Sequence, residues 1–420
     1  MRSEIGTRWY FGWNIVAAAA VLTLLSTGMR LGIGPYFLPI ARELGLSRTA
    51  LSAIMAAAML CYGLALPLAG FLVSRYGTRA VLLAGAAASL LATVLAANTQ
   101  SAAMFLFAFA GLLSVGLAFT SPVALTPVIG HWFTRHRGMA LFFLATSAMA
   151  GLAVVTPVTA LAVSAFGWRA TLAGFGVVLA ACTLAAALFL MRDVAPLNTD
   201  LLPEEARAQR VHAATLPQPL EPSEAVRTAT FWKIAFGLFC CGFSMHLLGT
   251  HGMPMLMDHG FDAPTSAMTI GLVGVAAIAG SVLLGGLADK MPRRNLLAAV
   301  YLVRGLGFIA LVLASSGLEL YFAATLMGLV WAGGAALSAA ILADVYGLRL
   351  VGPLYGLAYF GHQMGAALGS FAGGWAYERF GTHWVAFGAC ALLLAAGALV
   401  SLQLPRRAAP LMAPAPAPAR

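Results

Sequence analysis

The chain has 420 residues, of which 61% are hydrophobic and 9% charged, against roughly a quarter charged in an ordinary soluble domain. This composition excludes a soluble globular protein and points to repeated membrane crossing. The net charge of +10 does not indicate nucleic acid, because the basic residues are spread over short loops rather than gathered on one face.

The start, MRSEIGTRWYFGW, lacks the short apolar core and small-residue cleavage pattern of a removable signal, so the first helix is expected to stay in the membrane. That helix, residues 13–37, is long enough to span a hydrocarbon core of about 30 Å at about 1.5 Å per residue. It carries one charge, Arg30, set deep in an apolar run with no acidic residue beside it. A guanidinium at that depth is costly unless it faces a water-filled or ligand-binding interior, which makes Arg30 the first candidate functional residue.

Further apolar runs complete twelve spanning candidates: 49–73, 80–97, 101–129, 139–165 and 169–191, then 231–257, 265–288, 295–314, 320–345, 353–377 and 384–403. The predicted fold class is an all-α polytopic membrane protein. Its organisation is a six-helix bundle over 1–191, a cytoplasmic linker over 192–230, a second bundle over 231–404 and a disordered tail over 405–420. The linker is acidic, basic and proline-rich, with a short helix expected over 203–212, and the tail is rich in Pro and Ala. With the N-terminus inside, most basic residues, including Arg75, Arg79, Arg135, Lys290, Arg293 and Arg294, fall on the cytoplasmic side. Arg42, Arg48, Arg169 and Arg379 fall outside, and the even helix number puts the C-terminus inside too.

The halves echo one another. Trp13 pairs with Trp232 and Pro35 with Pro254 at one spacing, and Gly138 with Gly352 and Gly167 with Gly381 at another a few residues shorter. Two like-oriented halves suit a transporter that rocks about a central site.

The loop after helix 2, Gly70-Phe-Leu-Val-Ser-Arg-Tyr-Gly-Thr-Arg79, and its counterpart Gly285-Gly-Leu-Ala-Asp-Lys-Met-Pro-Arg-Arg294 resemble the signature loop of the major facilitator superfamily. In that family the loop latches the outward-open state, which implies a latch of Ser74, Arg75, Arg79, Asp289, Lys290 and Arg293; Ser74 stands where the first copy usually has aspartate. Phe11-Gly12-Trp13, His131-Trp-Phe-Thr-Arg-His-Arg-Gly-Met-Ala140 and Gly167-Trp168-Arg169 further resemble the monocarboxylate transporter and oxalate/formate antiporter branch. That resemblance implies a small organic anion as substrate, a bacterial-type inner membrane, no cofactor and a monomer. Members of the branch carry an aspartate and an arginine in helix 8 where this chain aligns Ala277 and Ser281, and a lysine near the outer end of helix 1 within a residue of Arg30. The resemblance therefore transfers the carboxylate-binding role to Arg30.

His246, His251, His362 and Gln363 are the remaining candidate substrate contacts, polar groups in helices 7 and 11 that otherwise read as apolar. His246 and His251 are five apart, so on a regular helix they diverge by about 140°. Each also has a plainer reading as a helix-to-helix hydrogen bond. Arg304 in helix 9 is expected to be structural, with Asp344 as its partner.

All 14 acidic residues lie in loops or at helix ends, so a coupling proton would have to travel on histidine or on the substrate acid. Uniport and exchange stay open. The five cysteines all sit in apolar runs and show no metal spacing. No nucleophile elbow, His-Glu-x-x-His pattern or interior carboxylate pair is present, so an enzyme is not expected. The alternatives carried forward are an exporter of apolar solutes and a membrane sensor that binds without flux.

Overall fold

The computed structural model describes residues 10–133, 136–193 and 221–406. Arg135, the segment 203–212 and the tail from 407 onward lie outside the described residues. Among the described residues, nine helices are long and apolar enough to cross a membrane. Two of these are double. Arg48–Asn98 breaks at Gly77 (φ 82°, ψ 161°) and Gly138–Leu190 at Gly167 (φ 76°, ψ 164°), a backbone region that in practice only glycine enters. Leu348–Phe380 is a further helix of 33 residues, less apolar because it carries His362, Gln363 and many glycines.

The expected crossings are thus all present. They are α1 (Gly12–Leu31, resuming as Gly34–Glu43), α2 (48–76), α3 (78–98), α4 (Ala102–Trp132), α5 (138–166) and α6 (168–190) in the first half. The second half has α7 (Ala229–Asp258), α8 (Ala263–Ala288), α9 (Arg293–Leu313), α10 (Gly317–Tyr346), α11 (Leu348–Phe380) and α12 (Trp384–Leu402). A short helix, Pro222–Val226, leads into α7.

Three crossings are interrupted where the sequence reading ran them straight. In α1 the amide of Gly32 closes on the Gly28 carbonyl (2.8 Å), and Pro35 at the start of the next segment opens a new helix that continues to Glu43 rather than stopping at 37. In α4 a π-helical stretch, Leu106–Leu113, precedes a break at Thr120 and Ser121, after which Ser121 caps the Val123 amide and Pro122 restarts the helix. In α10 the break falls between Leu329 and Gly333.

The α10 break explains Arg304, and the expected pairing with Asp344 is corrected. Arg304 is fully buried and donates through Nη2 to the carbonyls of Val330 (3.1 Å) and Trp331, and through Nη1 to Cys241 Sγ (3.1 Å) and Ser244 Oγ (3.3 Å). Carbonyls freed by a broken helix have no water to turn to in a bilayer, and a guanidinium fork satisfies them while meeting the negative end of the helix dipole. Asp344 is taken instead by Arg293, at the entry of α9.

Packing separates by half. One buried apolar cluster is drawn almost wholly from 225–404, and two others from 15–191 apart from Ala366 and Ala367. Bulky side chains such as Phe107, Phe166, Phe189, Phe322 and Leu392 remain exposed on the outer surface, where lipid tails would cover them.

Among the described residues, the halves meet from mid-span to one end. At the end that holds the turn before α2, Arg48 makes a bidentate pair with Asp258 (2.5 and 3.0 Å), Thr49 donates to Glu378, and α2 presses so closely on α11 that a Cβ at Gly374 would stand 2.6 Å from the Arg48 carbonyl oxygen. On α8, Gly271 meets Pro157 of α5 at 2.7 Å by the same measure. Toward the end carrying 75–79 and 290–294, nothing lies within 4 Å of a Cβ at Gly138, Gly285, Gly286, Gly352 or Gly356. Met139, Phe142 and Phe143 of α5 are exposed there. Among the described residues, the contacts between the halves are concentrated at the end that holds Arg48 and Asp258, the closed end, and are sparse at the end carrying the basic loops, the open end.

Candidate functional site

Arg30 lies in the last turn before the α1 break, where the helix dipole favours a cation. At this level α7 crosses α1 with almost no separation: a Cβ at Gly249 would stand 2.5 Å from the Leu31 carbonyl oxygen. The side chain one turn earlier on α7, His246, is thereby brought onto Arg30, whose Nη1 donates to His246 Nε2 (2.8 Å). A second close crossing sets α11 against α7, where Gly242 abuts the backbone of His362. The imidazoles of His246 and His362 then stand nearly perpendicular, centroids 6.3 Å apart, with Tyr359 stacked flat on His362 at 4.6 Å.

A third crossing brings in α2. Gly63 admits Gln363 of α11, whose Cβ would lie 2.9 Å from a Cβ at that glycine. The preceding residue, Tyr62, presents its ring to the Arg30 guanidinium at 4.8 Å, a cation–π contact. Arg30, His246, His362 and Gln363 are therefore gathered at the junction of the two halves.

This cluster is under-satisfied. Arg30 Nε, His362 Nδ1 and both amide atoms of Gln363 are buried without a hydrogen-bond partner among the described residues. None of the ion pairs among those residues, Arg48–Asp258, Arg169–Glu43, Arg293–Asp344 and His383–Asp258, includes Arg30. Buried polar groups are ordinarily bonded, so a set of unpaired polar atoms beside one cation, Gln363 Oε1 an acceptor among them, is what a polar ligand would complete.

His251 is not brought to this cluster. Its Nε2 donates to the Ser370 carbonyl (2.7 Å) and lies 3.2 Å from Ser52 Oγ, and its ring packs on Phe37. These are contacts across the closed end. Ala277 and Ser281, aligned where the branch carries its charged pair, are respectively fully buried and bonded back to the Ile278 carbonyl (2.7 Å).

The residues expected to form a latch lie at the end carrying the basic loops, where Arg293 is paired with Asp344. Ser74 Oγ donates to the Phe71 carbonyl (2.7 Å), Arg75 lies over Tyr76, and Arg79, Asp289 and Lys290 are exposed. Sequence reasoning missed Asp193, at the end of α6, which accepts from the Thr78 amide (2.9 Å) and lies against Gly77. A carboxylate thus reaches this loop, though not from position 74.

Arg30 also borders a narrow cleft between α1, α2 and α4, lined in the main by Met29, Ile33, Met55, Met59, Tyr62, Phe109, Leu113 and Leu117, with a free volume of about 20 Å³, room for about one water. The sequence reading did not single out the methionines. Tyr359 was missed as well, though its placement one turn before His362 was a usable signal.

The whole arrangement matches a known family model: the Major Facilitator Superfamily model aligns with residues 16–319 and again with 277–420. The chain belongs to the major facilitator superfamily. Among solved structures, a D-xylose-proton symporter superposes with a TM-score of 0.71 at 16% identity, covering 95% of this chain and 99% of that one. This likeness concerns the fold. Similar sequences include the MFS-type transporter YcxA of Bacillus subtilis (strain 168), 25% identical over 93% of this chain and 94% of its own length. Human monocarboxylate transporter 11 is 27% identical over 94% of this chain and 83% of its own length. As a member of this family, the chain is an integral membrane protein of a transporter class that takes small-molecule substrates.

Proposed function

We propose that this protein is a secondary transporter that carries a small organic anion, a monocarboxylate, across a bacterial inner membrane by alternating access. It works as a monomer with both termini in the cytoplasm, its halves, 1–191 and 231–404, rocking about the junction. The observation that carries this reading is Arg30: a cation at that junction, bordering a cleft, bonded to a neutral ring nitrogen rather than to a carboxylate. A planar fork of donors suits a carboxylate. The names of the relatives in the monocarboxylate transporter group support the same substrate class. The open end carries the basic loops, so on the positive-inside rule this is the cytoplasm-facing state. The latch of Ser74, Arg75, Arg79, Asp289, Lys290 and Arg293 engages in the opposite one.

An exporter of apolar solutes would not need a cation on its cleft, and that reading is disfavoured by the position of Arg30. The test is counterflow of labelled monocarboxylates, from short to aryl acids, in liposomes holding the purified protein. Saturable exchange that disappears in Arg30→Ala is expected. Exchange that survives the substitution would return Arg30 to a structural role.

A further inference from the structure

The seam at the closed end holds a titratable side chain that the cluster around Arg30 does not use. His383, the residue before α12, is 3% exposed, and its Nε2 donates to Asp258 Oδ2 (2.9 Å). Arg48 Nη1 meets the same oxygen at 2.5 Å. The two side chains share an aromatic ring as well: the Arg48 guanidinium lies 4.0 Å from the centre of Tyr377, and the His383 ring 4.4 Å from it. Asp258, Tyr377 and His383 belong to α7, α11 and the start of α12 in the second half, whereas Arg48 opens α2 in the first. Parting of the halves therefore removes Arg48 and leaves His383 on its carboxylate.

A neutral imidazole with its proton on Nε2 fits this seam, because the shared oxygen then accepts from one cation and one neutral donor. A second proton changes that. It sets two cations on one oxygen and one ring, and it places an N–H on Nδ1, which is buried and has no hydrogen-bond partner among the described residues. The groups around His383 do not relieve this. His259, in the turn after α7, stands nearly perpendicular to it at 5.9 Å and is a potential cation itself. His251, deeper on α7, is bonded to the Ser370 carbonyl (2.7 Å). On α11, Glu378 accepts from Thr49, and it and Arg379 are both exposed and opposite in charge.

We propose that His383 is a proton-sensitive release for the closed end: a proton taken up there displaces Arg48 from Asp258 and shifts the protein toward opening on the face opposite the basic loops. Once the halves part, His383 keeps Asp258 as a charged pair and water reaches Nδ1, so by linkage acid stabilises the state open at this end. The inference rests on the rocking of the halves in the proposed function, and not on Arg30 or on the substrate.

The experiment is the distance distribution between spin labels on Gln100→Cys and Ser316→Cys, exposed positions of the two halves, in purified full-length protein with the half-buried Cys61 and Cys182 replaced by alanine. As the pH falls from about 8 to about 5, the range in which histidine titrates, the population open at this end is expected to rise about fivefold, the scale of one partly screened ion pair. His383→Gln keeps a donor for Asp258 but cannot take the charge, and the response should vanish. His259→Gln should retain it. Arg48→Gln should raise the open population at every pH and flatten the response, since no cation is left to displace.

A response that survives in His383→Gln or is lost in His259→Gln would overturn the assignment and leave the rocking of the halves standing. So would closure on acidification, or no response in the parent protein while Arg48→Gln opens this end. A single distance, unchanged by pH in every variant, would overturn both. The sign of the response in the parent and its loss in Arg48→Gln decide the matter even if His383→Gln fails to fold.

Discussion

A guanidinium has no lone pair, so the 2.8 Å contact between Arg30 Nη1 and His246 Nε2 requires that nitrogen to be the acceptor and the imidazole to be neutral. A proton arriving on Nε2 would set N–H against N–H and separate the two. A carboxylate between them would then meet a donor on each side, which makes proton and anion cooperative ligands. His246 faces Arg30 from α1 and His362 from α11. His246→Gln keeps an acceptor for Arg30 but cannot take the proton; anion exchange should persist while stimulation by an inward proton gradient is lost. Uptake that remains gradient-driven in this variant would remove His246 from the coupling. Arg30→Ala should cost at least about 100-fold in anion affinity, the worth of two charge-assisted hydrogen bonds. Arg30→Lys should cost about tenfold, since a point charge replaces the fork. Binding isotherms measure both. Arg30 was legible from sequence because a charge in an apolar run is conspicuous, and His246 for a similar reason. Tyr359 and the methionines were not, because an aromatic or thioether side chain in a membrane helix looks the same whether it faces a cleft or a neighbour.

Helix boundaries were legible to within a few residues, because the charged and Gly/Pro punctuation that ends an apolar run also ends the helix. Breaks inside helices were not. In the run 317–346, Gly328 and the pair Gly333-Gly334 flank the place where α10 opens, but glycines are so frequent in these helices that they do not single it out. The signal lies in another helix, in the buried Arg304 that binds the freed carbonyls. Arg304→Met should leave those carbonyls unsatisfied and destabilise the second half by roughly 2–4 kcal/mol, read as a fall of several degrees in the melting temperature in detergent. A variant as stable as the parent would show that the α10 break needs no fork. At the closed end, Arg48 joins the first half to Asp258 of α7, and His383 reaches the same carboxylate at 2.9 Å. The side chains of Arg48 and Asp258 are 20% and 22% exposed, so solvent screens the pair and about 1 kcal/mol is a fair scale. Arg48→Ala should therefore shift the balance of the two end states about fivefold toward opening at that end, measurable as a change in spin-label distances across α2 and α11.

Across the whole molecule, the internal repeat was legible in paired glycines and prolines, and the fold follows it: Gly167 and Gly381 both sit at positive φ, each ending one helix and starting the next. Which end is open was not legible, since a single sequence serves both states. Close crossings hold this end together, among them α1 on α7 at Gly34, where a Cβ would lie 3.2 Å from the Cβ of Met253. Disulfides need Cβ atoms about 3.5–4.5 Å apart, a separation reached here by a shift of a few tenths of an ångström. The pair Gly34→Cys with Met253→Cys, built after replacing the half-buried Cys61 and Cys182 with alanine, should cross-link readily and hold this end shut. Transport should then stop and return on reduction. Binding of the anion from the open end should survive, since the bridge lies beyond Arg30 toward the closed face. A cross-linked protein that still carried out exchange would mean the halves need not part at α1 and α7, and alternating access about this junction would fail as the mechanism.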